Sequence, residues 1–273
     1  MRITNRKPSK PTALLLGLLP FLLTIIVYMV ASYYRRLDNP ADKLLPSVSD
    51  MAATFARMAF EPDRRSGDLL LWVDTLASLS RLGIGIAIAT LLAITIGVLI
   101  GFIPHIRSAL APYLATFSLI PPITVLPILF IIFGLGEASK IALIVVGTAP
   151  LMMRSTAQSV MDIPRELIIK AETLGASVWQ ILLRLILPQS MPKLINSIRL
   201  ALVPGWIFLI SAEAIASTSG LGYRIFLVRR YLAMDVILPY VFWITLLAFV
   251  FDRLLLWLSK RAFPWHHLEG ESL

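Results

Sequence analysis

The 273-residue sequence contains no cysteine. A disulfide framework, a thiol nucleophile, a thiolate-bound zinc and an iron–sulfur cluster are therefore excluded. Histidine is almost as scarce. With only His105, His266 and His267, a histidine-rich metal site is not expected and no cofactor is assigned to the chain. Charged residues make up 15% of the sequence, against about 25% in an ordinary soluble domain. No GxxxxGK[ST] phosphate loop occurs, and there is no internal repeat or low-complexity tract. Apolar residues fill the space, at 58% of the chain and a mean hydropathy of +0.81. This excludes disorder, collagen, coiled coil and a typical soluble enzyme. It leaves an all-α, polytopic transmembrane helical bundle. A span needs about 20 residues, so five or six spans with their loops use up the length. The net charge of +9 then points to anionic lipid in the bilayer rather than to nucleic acid.

Residues 1–10 are basic without an acid, and Pro11 to Ala31 is almost wholly apolar. This reads as an uncleaved first span with a cytoplasmic N-terminus, because a signal-peptide core is shorter. Residues 32–70 are polar and turn-rich, and Ser49-Asp50 is expected to cap a short interfacial helix. Residues 1–70 thus form an N-terminal span with an outer segment, and residues 71–265 form the main transmembrane domain. Its apolar regions are Trp72–Ile103, Arg107–Gly134, Lys140–Gln158, Leu194–Ala216 and Val236–Ser259. Six spans put both termini on the cytoplasmic side, with residues 266–273 as a tail. Lysine and arginine divide almost evenly between the two sides, so orientation rests on the interval between the fourth and fifth spans.

That interval, Ile163 to Pro188, reads IPRELIIKAETLGASVWQILLRLILP. Pro164 and Glu166 suit a helix start. Gly175 suits its end, where positive φ is wanted. Ser177 is placed to cap a second helix, with Val178, Ile181, Leu182 and Leu185 on one face and Pro188 closing the segment. Two short helices at a fixed angle, too polar to span, would present a firm knob at the membrane surface.

These residues resemble the EAA loop, EAA-x3-G-x9-I-x-L-P, of binding-protein-dependent ABC importer permeases. Gly175 is followed by nine residues and then Leu185-Ile186-Leu187-Pro188, while Ile169-Lys170-Ala171 stands where Glu-Ala-Ala is expected. Downstream, SAEAIASTSGLGYRI (211–225), Trp206, Asp252 and Pro264-Trp265 are similar to the nitrate, taurine and alkanesulfonate permease group. So is LIPPITVLPILFIIFGLGEASK (119–140) upstream. The stretch from Gly222 to Tyr231 resembles the subgroup associated with urea carboxylase. The resemblance implies a type I ABC importer permease fold in a bacterial inner membrane. It implies a coupling loop over 161–190 docked on a separate ABC ATPase that holds ATP and Mg. It also implies a second permease copy and a substrate-binding protein as partners. In the loop it implies ATPase contact by Ala171 and Leu174, polar rim contacts by Arg165, Lys170 and Glu172, and a bend at Gly175. The solute implied is a small nitrogen compound such as guanidine or urea ahead of taurine, sulfonate or nitrate.

Other positions carry two readings each. Glu213 and Asp252 are acids in or near spans, hence functional by default, or else paired inside the bundle with Lys193, Arg199 or Arg253. Pro121, Pro122 and Pro127 free backbone carbonyls and suit a translocation path, or are packing kinks. Thr124, Ser118, Gln158 and Trp206 either line that path or tie helices together. Gly220, Gly222 and Tyr223 form an outer gate or a plain turn. Gly97 and Gly101 permit close helix approach. The competing function, a secondary transporter or channel for a small polar solute, predicts inverted repeats and relay acids that the sequence does not show.

Overall fold

The computed structural model describes residues 9–39, 42–64 and 66–268. The sequence-based expectations for residues 1–8 and 269–273, and for the side chain of His267, lie outside the described residues. In chain order the helices are α1 (Lys10–Asp38), α2 (Val48–Phe60), α3 (Leu70–Leu92), a π-helical turn (Ala93–Gly97), α4 (Val98–Phe102), α5 (Pro104–Phe117), α6 (Pro122–Phe133) and α7 (Glu137–Met161). There follow α8 (Arg165–Thr173), α9 (Val178–Ile181), a second π-helical turn (Leu182–Ile186), α10 (Leu187–Ile215), α11 (Leu221–Val228), a 3-10 turn (Arg229–Tyr231), α12 (Met234–Ala262) and α13 (Pro264–Leu268). Among the described residues there is no strand. Five helical stretches are long and apolar enough to cross a membrane, and six if the α5–α6 pair, bent by 97°, counts as one.

Two compact units share the chain. The smaller joins the segment up to Leu69 with Val228–Tyr240. Up to Val27 the helix α1 is apolar and exposed on every side, which suits lipid rather than water. The segment after α1 folds back on it, with Tyr28 Oη donating to Pro46 O at 2.7 Å and Ser32 Oγ to Leu45 O at 2.9 Å. Ser47, not the Ser49-Asp50 pair, caps α2. Its Oγ accepts from Asp50 N at 3.1 Å, while Asp50 Oδ2 accepts from Ser47 N at 3.3 Å. The cap moves two residues upstream because the acid works from the third helical position, as a capping box requires. Thr54 Oγ1 donates to Asp235 Oδ2 at 3.1 Å, fixing α2 to the start of α12.

The larger unit is built on α3–α4, α7 and α10. Glycines set its geometry. A Cβ on Gly97 would stand 2.8 Å from Met153 O, and one on Gly101 would stand 2.6 Å from Val160 Cβ and 2.8 Å from Ala157 O. One on Gly85 would stand 2.7 Å from Ile144 Cγ2. The matched pairs 85/144, 97/153 and 101/157 rise together, so α3–α4 and α7 run parallel. A parallel pair obliges the chain to return between them, and α5 and α6 make that return, broken at Pro121-Pro122. Helix α10 runs antiparallel to both, as Ser155–Ser197 (2.7 Å) and Ser78–Glu213 (2.8 Å) show. The α12 portion in this unit is tied to α10 by Arg199–Asp252 and to α3 by Trp243 Nε1–Thr75 Oγ1 (3.0 Å).

The second helix of the 163–188 interval differs from expectation. Pro188 does not close it. The helix that starts at Val178 runs unbroken to Ile215, 38 residues in all. Pro188 sits in the first turn after the second π-helical turn, where its missing N–H and fixed φ are tolerated.

Candidate functional site

Two regions lie at opposite ends of α7, a 25-residue helix about 37 Å long. At its C-terminal end lies the helix pair. Gly175 takes φ +79 after α8, and Ala176 N donates to Ala171 O at 3.0 Å. A left-handed residue with that backbone bond closes the helix. Ser177 then caps α9, accepting from Gln180 N at 3.3 Å while Gln180 Oε1 accepts from Ser177 N at 2.8 Å. The underside of the pair is a small core of Val98, Val160, Ile163, Ile181 and Ile186. Ala171 packs partly buried against that core, so it points inward, away from the surface where Leu174 stands. Leu174, Trp179, Val178 and Ile169 face outward, with Leu174 87% and Trp179 69% exposed. Val178 thus does not share the buried side of Ile181, although the spacing puts the two on one face. Arg165, Lys170 and Glu172 are exposed beside them. Gln158 Nε2 donates to Asp162 Oδ1 at 2.9 Å and Lys193 Nζ to Asp162 Oδ2 at 3.0 Å, anchoring the start of the pair to α7 and α10. The Lys193 ammonium, then the Gln158 amide, hold the Asp162 carboxyl below the usual carboxylate range.

At the other end is a buried ionic cluster. Asp74, Ser78 and Arg81 recur at i, i+4 and i+7 on one face of α3. Glu213, fully buried near the end of α10, accepts from Arg81 Nη1 at 2.6 Å, Ser78 Oγ at 2.8 Å and Gly222 N at 2.8 Å. Arg81 also pairs through Nε and Nη2 with Glu137, and its Nη1 donates to Ser219 O at 2.8 Å. Lys140 Nζ donates to Glu137 at 2.9 Å. Asp74, fully buried, accepts from Gly220 N at 2.9 Å and from Arg224 Nε at 2.7 Å. Three carboxylates (74, 137, 213) thus meet three cations (81, 140, 224); Glu137 is exposed, and the pairing is what makes the burial of Asp74 and Glu213 tolerable. The cluster holds the 217–224 turn against the bundle. Gly220 has φ +125, and a Cβ there would strike the Glu213 carboxylate; a Cβ on Gly222 would stand 2.9 Å from Ile210 Cα and O. Neither position accepts a side chain.

The structure brings Glu213, Gly220 and Gly222 into one site and leaves Tyr223 partly buried at its edge. It does not bring the remaining candidates there. Pro121 and Thr124 are exposed at the α5–α6 break beside the partly buried Pro122, and Thr124 Oγ1 donates to Pro121 O at 2.7 Å. Gln158 belongs to the helix-pair end. Trp206 is 5% exposed, and its Nε1 has no hydrogen-bond partner. Asp252 takes its pairing role, accepting from Arg199 Nε at 2.8 Å and Nη2 at 3.1 Å. Sequence reasoning missed Asp74, Ser78, Arg81, Glu137 and Lys140 as partners. The available signal was the 74/78/81 stripe: a salt-bridge-capable face in an apolar span has to meet an opposite charge.

The profile of binding-protein-dependent transport system inner membrane components matches residues 69–264. The taurine transport system permease protein TauC of Escherichia coli (strain K12) is 37% identical over 200 residues, covering 73% of this chain and 72% of that one. The bicarbonate transport system permease protein CmpB of Synechococcus elongatus is 28% identical over 200 residues, covering 72% of each chain. Among solved structures, the inward-facing MetNI methionine ABC transporter matches with a TM-score of 0.63 and 21% identity over 70% of this chain and 95% of that one; at that identity the likeness speaks to the fold alone. The profile covers well over half of the chain, and the 37% identical relative covers 73% of it. The chain therefore belongs to the binding-protein-dependent transport system inner membrane component family, as a permease subunit of an ABC importer for small solutes.

Proposed function

We propose that this chain is the pathway half of an importer energised through α8 and α9. The observation that supports this is the outward apolar face of that pair, Leu174 and Trp179 foremost, on a segment braced from beneath by its own core. A firm knob with apolar tips suits a groove on an ABC ATPase, and rigid docking lets nucleotide-driven closure reach the bundle. Arg165, Lys170 and Glu172 stand at the rim as polar contacts. ATP and Mg reside on that partner. Two permease copies, identical or paralogous, form the path, and a binding protein delivers the solute at the end that holds the ionic cluster. By this reading α8–α9 and both termini face the cytoplasm of a bacterial inner membrane, and Gly220, Gly222, Tyr223 and Glu213 form the outer gate. By the same reading Pro121, Pro122, Thr124, Gln158 and Trp206 line the path. Trp206 carries a buried N–H without an acceptor, as a residue waiting for a polar passenger would.

The solute is a small polar compound. The relatives' names span taurine, aliphatic sulfonates and bicarbonate. The Gly222–Tyr231 resemblance favours a nitrogen compound such as guanidine or urea. Two measurements test this. Leu174→Asp and Trp179→Ala, made in the purified permease–ATPase complex, should abolish solute-stimulated ATP hydrolysis; retention of full stimulation by both overturns the docking surface. A solute panel of guanidinium, urea, taurine and nitrate applied to the cognate binding protein decides the cargo. Binding of taurine or nitrate alone overturns the nitrogen-compound assignment.

A further inference from the structure

A cavity of about 130 Å³ opens between α10, α12 and α13, lined by Pro192, Lys193, Asn196, Arg199, Ser259 and His266. It has room for several waters or one tetrahedral oxyanion. Its chemistry is one-sided. Lys193 uses one of three ammonium donors on Asp162, and Arg199 uses Nε and Nη2 on Asp252; the Asn196 amide adds donors of its own. The two nearby carboxylates are already engaged by these same cations, which fixes the cationic heads in place at the cavity wall.

Its position narrows the source. Lys193 lies level with Asp162, at the start of the helix pair, and Arg199 lies about 9 Å further along α10. The neighbouring end of α12 carries Arg253, Lys260 and Arg261 interleaved with Trp257, and Trp265 follows on α13. Arg261 lies over the Trp257 ring at 5.9 Å and Arg253 over Phe249 at 5.0 Å. Basic side chains mixed with tryptophan mark a membrane–water boundary, and basic pockets between spanning helices at that level take lipid phosphate. We infer that this cavity is a phosphate-binding site at the membrane boundary, filled by the headgroup of an anionic phospholipid. Free phosphate offers the same oxyanion and is the other source. Because Lys193 also holds Asp162, an occupant would touch the side chain that anchors the start of the helix pair.

The test uses the full-length permease in complex with its ATPase. Native mass spectrometry counts retained phosphatidylglycerol against phosphatidylcholine of equal chain length. A thermal-shift arm adds inorganic phosphate in lipid-free detergent. Asn196→Phe fills the cavity while leaving both ion pairs, and Lys260→Gln removes a nearby cation outside it. The lipid assignment expects about tenfold preference for phosphatidylglycerol, lost in Asn196→Phe and kept in Lys260→Gln. A phosphate-induced rise in Tm that vanishes in Asn196→Phe, without lipid preference, assigns the site to the free ion. No preference and no shift, or effects that persist in Asn196→Phe, overturn the site.

Discussion

Arg81 is the residue on which the ionic cluster turns, and Arg81→Met measures it. The guanidinium bonds Glu213, Glu137 and Ser219 O at once. Its removal leaves the fully buried Glu213 with only Ser78 and the Gly222 N–H. Breaking one side of a buried ion pair costs about 3–5 kcal/mol. At roughly 2–4 °C per kcal/mol for a chain of this size, the loss of Tm is about 6–20 °C. The double variant Arg81→Met/Glu213→Leu removes the stranded charge. What remains is the orphaned Gly222 N–H, worth about 1–3 kcal/mol. The double variant is therefore expected to cost no more than Arg81→Met alone. Thermal unfolding of the purified full chain in detergent reads Arg81→Met, Glu213→Leu and the double variant against the wild type, and hydrogen exchange at Gly220, Leu221 and Gly222 reports where the loosening occurs. A loss below about 1 kcal/mol for Arg81→Met, or a double variant as costly as the sum of the singles, would refute the reasoning.

Further outcomes are specific to other parts of the molecule. Gly101→Leu forces carbon against Val160 and Ala157 O and should lower Tm by several degrees, the overpacking cost being about 1–3 kcal/mol or more; an unchanged Tm means that α4 and α7 do not pack as described. Trp206→Phe deletes a buried N–H without a partner and should raise stability by about 1 kcal/mol while slowing transport. A fall in Tm would place an acceptor at Nε1. The Asp162 carboxyl, lowered by Lys193 and Gln158, lends its anchoring to the helix pair above the unfolded carboxylate value near pH 3.9. That contribution disappears as pH falls through the lower folded value. Hydrogen exchange in residues 162–166 should therefore quicken selectively in acid for the wild type, and Asp162→Asn should remove the pH dependence; an Asp162→Asn profile that matches the wild type would speak against the anchor.

Much of the fold was legible because lipid leaves few choices. Apolar runs of the needed length had to become helices, and Gly97 and Gly101 announced a close crossing. Gly175 and Ser177 were readable because helix ends need special residues. Pro188 misled because a proline in the first turn after a π-turn breaks nothing. The capping of α2 was misplaced by two residues because Ser47 and Ser49 are equally good caps; only the reciprocal bond to Asp50 separates them. The ionic cluster was half legible. Glu213 stood out as an acid in an apolar setting, but its side-chain partners Ser78 and Arg81 lie on α3, 135 and 132 residues away in sequence. No local pattern specifies such a meeting. Ala171 had the family's position but turned inward, since α8 needs a small residue where it crosses its own underlying core.

The unbroken run from Val178 to Ile215 has a mechanical meaning. At 1.5 Å per residue it is a rod about 57 Å long, with the proposed ATPase-facing tip at one end and Glu213 near the other. A tilt of about 10° about one end of a rod that long sweeps the far end through about 10 Å. The cluster around Glu213, by contrast, is held by contacts of 2.6–3.0 Å. The lever at one end therefore far outranges the clasp at the other. A few degrees of motion at the surface suffice to open or close the bonds that seat the 217–224 turn, and Pro192 and Pro204 within the rod set how much of that stroke arrives.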